Sequence, residues 1–164
     1  MKKVLLLSLL PLFISSNSAE INYEKRIEQP ILEINRKDIS DVITDADLVT
    51  ALIHVESRGN DSAIGDRHLV GNEAVGALQI RPIMVREVNR ILKIQKNDKR
   101  FTLKDRFERE KSIEMFYIWK NYHHKDSEPE VIARNWNGGP KGYKNNRTVK
   151  YWNKVEQQLN KENG

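Results

Sequence analysis

A mostly α-helical domain with at most a small β-hairpin is what this sequence predicts, and three observations carry that prediction. Apolar residues recur at three- and four-residue spacing in several stretches after residue 44. Helix-starting signatures, Ser or Thr followed three residues later by Asp or Glu, or Pro at a first turn, precede most of those stretches. The one Gly-rich, broken stretch, GDRHLVGNEAVGALQI over 65–80, is short and isolated.

Each element has its own local cause. Thr44 and Asp47 form a capping box, with Ile43 placed to staple onto Leu48, and Leu48, Val49, Leu52, Ile53 and Val55 supply a buried face up to a stop at Gly59. The stretch from Gly65 to Ile80 reads as loops with a small hairpin around Gly71-Asn72. Pro82 opens a helix with Met84, Val88, Ile91 and Leu92 on one side. Thr102 and Asp105 form a second capping box, expected to start a long helix to about Tyr122 with Ile113, Phe116, Tyr117 and Trp119 inside. Ser127 and Glu130 are expected to cap a short helix with Pro129 in its first turn, ending at Asn137-Gly138-Gly139. A last helix follows Thr148, with Tyr151, Trp152, Val155 and Leu159 along one side.

Composition bounds the function. At 164 residues with 38% hydrophobic and 31% charged, the chain is one domain's worth and too apolar to read as disordered. It has no cysteine, which excludes disulfides, a thiolate nucleophile and a Cys-type zinc site. Lys2 and Lys3, the apolar run from Val4 to Ile14 and the small residues from Ser15 to Ala19 have the form of a secretory signal peptide over residues 1–19, the apolar run being too short to span a bilayer. Removing it takes away two lysines and lowers the net charge from +5 to +3. The mature chain is then expected in the periplasm or outside the cell, where nucleic acid is not the expected partner and a carboxylate-bearing cell-wall polymer is. Residues 20–43 read as a charged lead-in, and residues 44–164 as the working domain.

Glu56 leads the residues able to do chemistry. It follows Leu52 by four and Ile53 by three, which puts it on the apolar stripe near a helix C-terminus. Burial and the helix dipole both oppose a negative charge there and raise the pKa, leaving an acid able to protonate a leaving oxygen near neutral pH. A glutamate snorkelling from a helix end has the same spacing. No His pair stands at metal-ligand spacing, no phosphate-cradling loop follows a strand, and no Ser-His-Asp arrangement can be argued, so neither metal nor cofactor is expected. His123 and His124 suit a helix C-terminus.

Three segments in order, Glu56-Ser57 at a helix end, Gly76-Ala77-Leu78-Gln79-Ile80, and Ala133-Arg134-Asn135-Trp136-Asn137-Gly138-Gly139, resemble the lysozyme-like superfamily. The resemblance is to goose-type lysozymes and soluble-type lytic transglycosylases, and it spans roughly residues 44 to 156. It implies an α+β lysozyme-like domain with an active-site groove beside the Glu56 helix. Glu56 would be the catalytic acid acting on the bond between N-acetylmuramic acid and N-acetylglucosamine, Ser57, Gln79 and Asn137 would hydrogen-bond the sugars, and Trp136 would line the groove. Trp136 stands where the family usually has tyrosine, so a hydroxyl is missing there, and the loop holding Asp66, Arg67, His68 and Glu73 is longer than is typical. Gln79 has an alternative use in satisfying loop backbone, Asn137 as a helix C-cap, and Trp136 in the core.

In the resembling transglycosylases the substrate's acetamido group assists and the sugar's 6-hydroxyl attacks, giving 1,6-anhydro ends. That route is preferred here over hydrolysis by a lysozyme. Asp66 and Glu73 are the candidates for a second carboxylate, Asp66 also suiting a turn after Gly65. A peptidoglycan-binding protein without chemistry is the rival from another class, and a membrane-active cationic protein the third. The expected partner is the peptidoglycan glycan strand, bound by a monomer without a membrane anchor. Small exported relatives suggest, by analogy, service to an envelope-spanning secretion or pilus machine.

Overall fold

The computed structural model describes residues 43–162, so the segment 1–19 expected to be a signal peptide and all of the lead-in before Ile43 lie outside the described residues. Among the described residues the chain forms five α-helices: α1 (Asp45–Ser57), α2 (Pro82–Ile94), α3 (Arg109–His123), α4 (Pro129–Gly138) and α5 (Val149–Glu162). One two-stranded antiparallel sheet, β1 (Ile64–Gly65) with β2 (Ala74–Val75), completes the mostly helical architecture that the sequence predicts.

Helix α1 is the centre of the core. Thr44 caps it, its oxygen accepting the Asp47 N–H at 3.2 Å while its own N–H donates to Asp47 Oδ2 at 2.9 Å. Leu48, Val49, Ala51, Leu52 and Ile53 are all buried, which covers more than one stripe and marks a helix enclosed by others. Helices α4 and α5 pack against it, and Ile132, Val155 and Leu159 meet its side chains in one cluster with Met115 and Phe116 of α3. Lys120 of α3, itself buried, ties the start of α1 by donating to Asp45 Oδ2 at 2.6 Å. The helix ends because Arg58 and Gly59 both take left-handed backbone, at φ 53° and 79°.

Pro82 occupies the first turn of α2, whose Val85, Val88, Ile91 and Leu92 are buried as the spacing requires, and α2 lies along α3. In the hairpin, Ile64 pairs with Val75 and Gly65 with Ala74, and a bridge from Val75 to Ile80 folds the chain back again.

Two expected helix starts are corrected. The Thr102–Asp105 box exists, but it caps a 3-10 turn over Leu103–Phe107 rather than the long helix. Glu108 is extended (φ −99°, ψ 115°) and α3 begins only at Arg109. Tertiary bonds override the local signal: Arg106 is buried and donates from Nη1 to the Glu73 and Ile80 carbonyls, each at 3.0 Å, while the Ser112 hydroxyl donates to the Arg106 carbonyl at 2.9 Å. The Ser127–Glu130 pair does not cap α4 either. Its N-cap is Glu128, with no side-chain cap bond, and Pro129 sets the first turn. Ser127 instead meets His124 Nδ1 at 3.3 Å, and Glu130 accepts from Arg134 Nη1 at 2.6 Å.

The connection from α4 to α5 is locked by two buried side chains. Arg134 donates to Thr148 Oγ1 at 3.0 Å and to the Tyr143 carbonyl at 2.6 Å, and Asn135 Oδ1 accepts the Tyr143 N–H at 2.8 Å. Gly142 fits here because a Cβ would lie 2.0 Å from the Arg134 carbonyl oxygen. The start of α5 is thereby placed with little freedom.

Candidate active site

Glu56 stands in the last turn of α1, three and four residues beyond the fully packed Ile53 and Leu52, and is itself half-buried. From α5, Tyr151 donates its hydroxyl to Glu56 Oε1 at 2.7 Å. Burial pushes the Glu56 carboxyl up from its ordinary 4.5 to about 7. The Tyr151 bond opposes that rise, since it favours the charged form; the charge of Asp66 adds to the rise and that of Arg81 opposes it. Tyr151 in turn is held well above its ordinary value by burial and by the neighbouring carboxyl. A half-buried acid that is still partly protonated at neutral pH, with one oxygen fixed by a phenol, is equipped to give a proton and to take one back.

An ion pair joins Asp66 to Arg81. Asp66 follows β1 in left-handed backbone (φ 49°), and its carbonyl accepts the Leu69 N–H at 2.8 Å, so the turn expected after Gly65 is present. Its carboxylate is held by Arg81 at the N-cap of α2, which also donates to the Asn72 carbonyl at 3.3 Å. Glu73 folds back within the same loop, its Oε1 accepting the Gly71 N–H at 3.1 Å, and those backbone bonds hold its carboxyl below the ordinary range.

The other residues singled out from the sequence have structural occupations. Ser57 donates its hydroxyl to the Ala77 carbonyl at 2.8 Å, joining the end of α1 to the segment after β2. Gln79 takes left-handed backbone (φ 47°) where the chain reverses after Gly76, and its Nε2 donates to the Gly76 carbonyl at 2.9 Å and the Ala63 carbonyl at 3.4 Å. Its Oε1 lies so close to Gly65 that a Cβ there would stand 2.3 Å away. Trp136 is half-buried and packs edge-to-face on Phe116 (5.3 Å, 71°) and on Trp119 (5.2 Å, 70°), an aromatic cluster rather than a free wall. Asn137 is exposed, one residue before the end of α4, and the left-handed cap is Gly139.

The structure thus brings Glu56, Ser57 and Gln79 to one corner, where α1 ends against the hairpin, and adds two participants that sequence reasoning did not assign. Tyr151 was placed among the core aromatics of the last helix, and Arg81 was not singled out. No local spacing signals either, because the contacts join residues 95 and 15 positions apart. Left-handed backbone at Arg58, Asp66 and Gln79 is concentrated in this same region. A separate surface hollow of about 400 Å³ lies between the end of α2 and α3, lined in part by Gln95, Glu110 and Tyr117, and contains none of these residues. Among the described residues no three His, Cys, Asp or Glu side chains converge as metal ligands.

The phenol makes a clean prediction. Tyr151→Phe should raise the Glu56 pKa further, because it removes the bond that favours the carboxylate. The side-chain carboxyl 13C shift of Glu56 should titrate at higher pH than in wild type. A titration that stays in place or moves down would contradict this role of the hydroxyl.

No protein-family model matches the chain, and no curated protein matches it.

Proposed function

We propose that this protein is a peptidoglycan-cleaving lytic transglycosylase, acting on the β-1,4 bond between N-acetylmuramic acid and N-acetylglucosamine. The observation that carries the reading is the Glu56 carboxyl, half-buried, raised to about 7 and fixed by Tyr151. Glu56 donates its proton to the glycosidic oxygen as the bond to the muramic C1 breaks. The muramic 6-hydroxyl then attacks C1 and returns its proton to the Glu56 carboxylate, leaving a 1,6-anhydro end and regenerating the acid. The chain's contribution is one acid–base group whose pKa lies near the working pH, with no second carboxylate required.

Hydrolysis of the same bond to a reducing end is the alternative, and it needs a base or nucleophile opposite Glu56. Asp66 is the carboxylate close enough to influence Glu56, yet Arg81 already engages it. That pairing favours transglycosylation. The non-catalytic binder is disfavoured because binding sugar does not call for a carboxylic acid on an apolar stripe. The functional setting is an exported protein working on the wall, cofactor-free and monomeric, with a secretion or pilus machine as the class of client. Digestion of purified peptidoglycan followed by mass analysis of the released muropeptides tests the proposal. Anhydro ends are expected; reducing ends would make the protein a lysozyme, and absence of release would make it a binder.

A further inference from the structure

From Val131 to Val155 the sequence contains six Lys or Arg residues and no Asp or Glu. One of them, Arg134, is buried and paired with Glu130. The other five, Lys141, Lys144, Arg147, Lys150 and Lys154, are all exposed, and no carboxylate of the described residues lies in ion-pair contact with any of them. Elsewhere Arg81, Arg90, Lys99, Arg109, Lys111 and Lys120 each face an acidic partner.

These five cations stand on fixed backbone. The Arg134, Asn135 and Thr148 bonds hold the connection, Thr148 Oγ1 donating to the Gly142 carbonyl at 2.8 Å, and the Arg134 guanidinium stacks over the Tyr143 ring at 4.7 Å. The strip runs into the helix that carries Tyr151. Lys150 precedes Tyr151, the residue bonded to Glu56, and Lys154 lies one helical turn beyond it. A run of exposed cations without ion-pair partners among the described residues, set on well-held backbone, attracts anions spread along a polymer rather than at one point.

We infer that the strip Lys141–Lys154 binds the carboxylates of the peptide stems that hang from a peptidoglycan strand, and so selects peptide-bearing glycan over bare glycan. The choice of polymer rests on the proposed function, whereas binding can be read without any cut. Stem peptides are anionic and occur at regular intervals along the glycan, which suits several exposed cations spread along one stretch of chain. The strip would thus hold the strand while Glu56 acts on its backbone.

The test uses the full chain and a triple variant, Lys144→Gln/Arg147→Gln/Lys150→Gln, which removes charge from exposed positions only. Co-sedimentation is measured with sacculi freed of teichoic acid, and with the same sacculi after their carboxyls are converted to neutral amides. Wild type should bind native sacculi about tenfold more tightly than amidated ones at low salt, and the advantage should fade as salt rises. The triple variant should bind native sacculi about tenfold more weakly than wild type and be indifferent to amidation. Equal wild-type binding to both sacculi, or a triple variant that binds native sacculi like wild type, overturns the inference. So does a triple variant that loses only its binding to phosphatidylglycerol vesicles, which would assign the strip to a membrane surface. A protein that shows this binding pattern yet releases no muropeptides would refute the proposed chemistry while leaving the strip's role intact.

Discussion

Glu56→Gln should reduce muropeptide release to background, a loss of roughly 10²–10⁴-fold, because an amide has no proton to give at the glycosidic oxygen. The fold should survive, since the Gln carbonyl oxygen can still accept the Tyr151 hydroxyl. A second readout separates the missing acid from a damaged structure. With a folded-state pKa of about 7 against an ordinary 4.5, Glu56 binds its proton more tightly in the native state. Its contribution to stability is fully present below about pH 4.5 and is lost as pH rises through about 7, at a cost of on the order of 3 kcal/mol as an upper bound, because the residue is only half-buried. Urea midpoints should therefore fall between pH 4.5 and 8 more steeply for wild type than for the Gln variant. Cutting at the wild-type rate by the variant would end the mechanism; parallel pH profiles of stability would end the account of the pKa.

Gly76→Ala should be the most damaging small substitution near the site. Gly76 takes φ 80°, and an added Cβ would lie 1.8 Å from the Arg106 carbonyl oxygen, which is backbone and cannot swing away. The same carbonyl accepts the Ser112 hydroxyl, and Gly76 itself donates to the Ala63 carbonyl at 2.8 Å and accepts from Gln79. Left-handed strain together with forced separation of the hairpin from the turn before α3 should cost more than about 4 kcal/mol. Gly71→Ala is the control: φ is 76° but nothing lies within 4 Å of the added atom, so only the conformational strain of about 1 kcal/mol should appear. Equal melting temperatures for the two variants would show that the close approach at Gly76 is not what holds the corner together.

Helices were legible where cause and effect lie within one or two turns. The Thr44–Asp47 box, the Pro82 start and the apolar side of α5 are all local, and all three stand in the structure as the spacing predicts. The Thr102–Asp105 box was equally visible, but sequence could not reveal that Arg106 turns inward to carbonyls 26 and 33 residues away and shortens the turn it starts. The site divides along the same line. Glu56 was legible because a helical stripe fixes its direction, whereas its phenol and the Asp66–Arg81 pair are products of tertiary docking. Trp136 packs on Phe116 and Trp119, the core use that its position also allowed, and the hydroxyl beside Glu56 comes from another helix.

The contact between the last turn of α1 and α5 has a temporal consequence. A polypeptide emerging N-terminus first from a ribosome exposes the Glu56 carboxyl long before residue 151 arrives to meet it. Until that final segment docks, the acid has neither its enclosure nor its partner and titrates as an ordinary glutamate. The raised pKa of Glu56 is thus gained only after residue 151 has emerged and α5 has docked on α1.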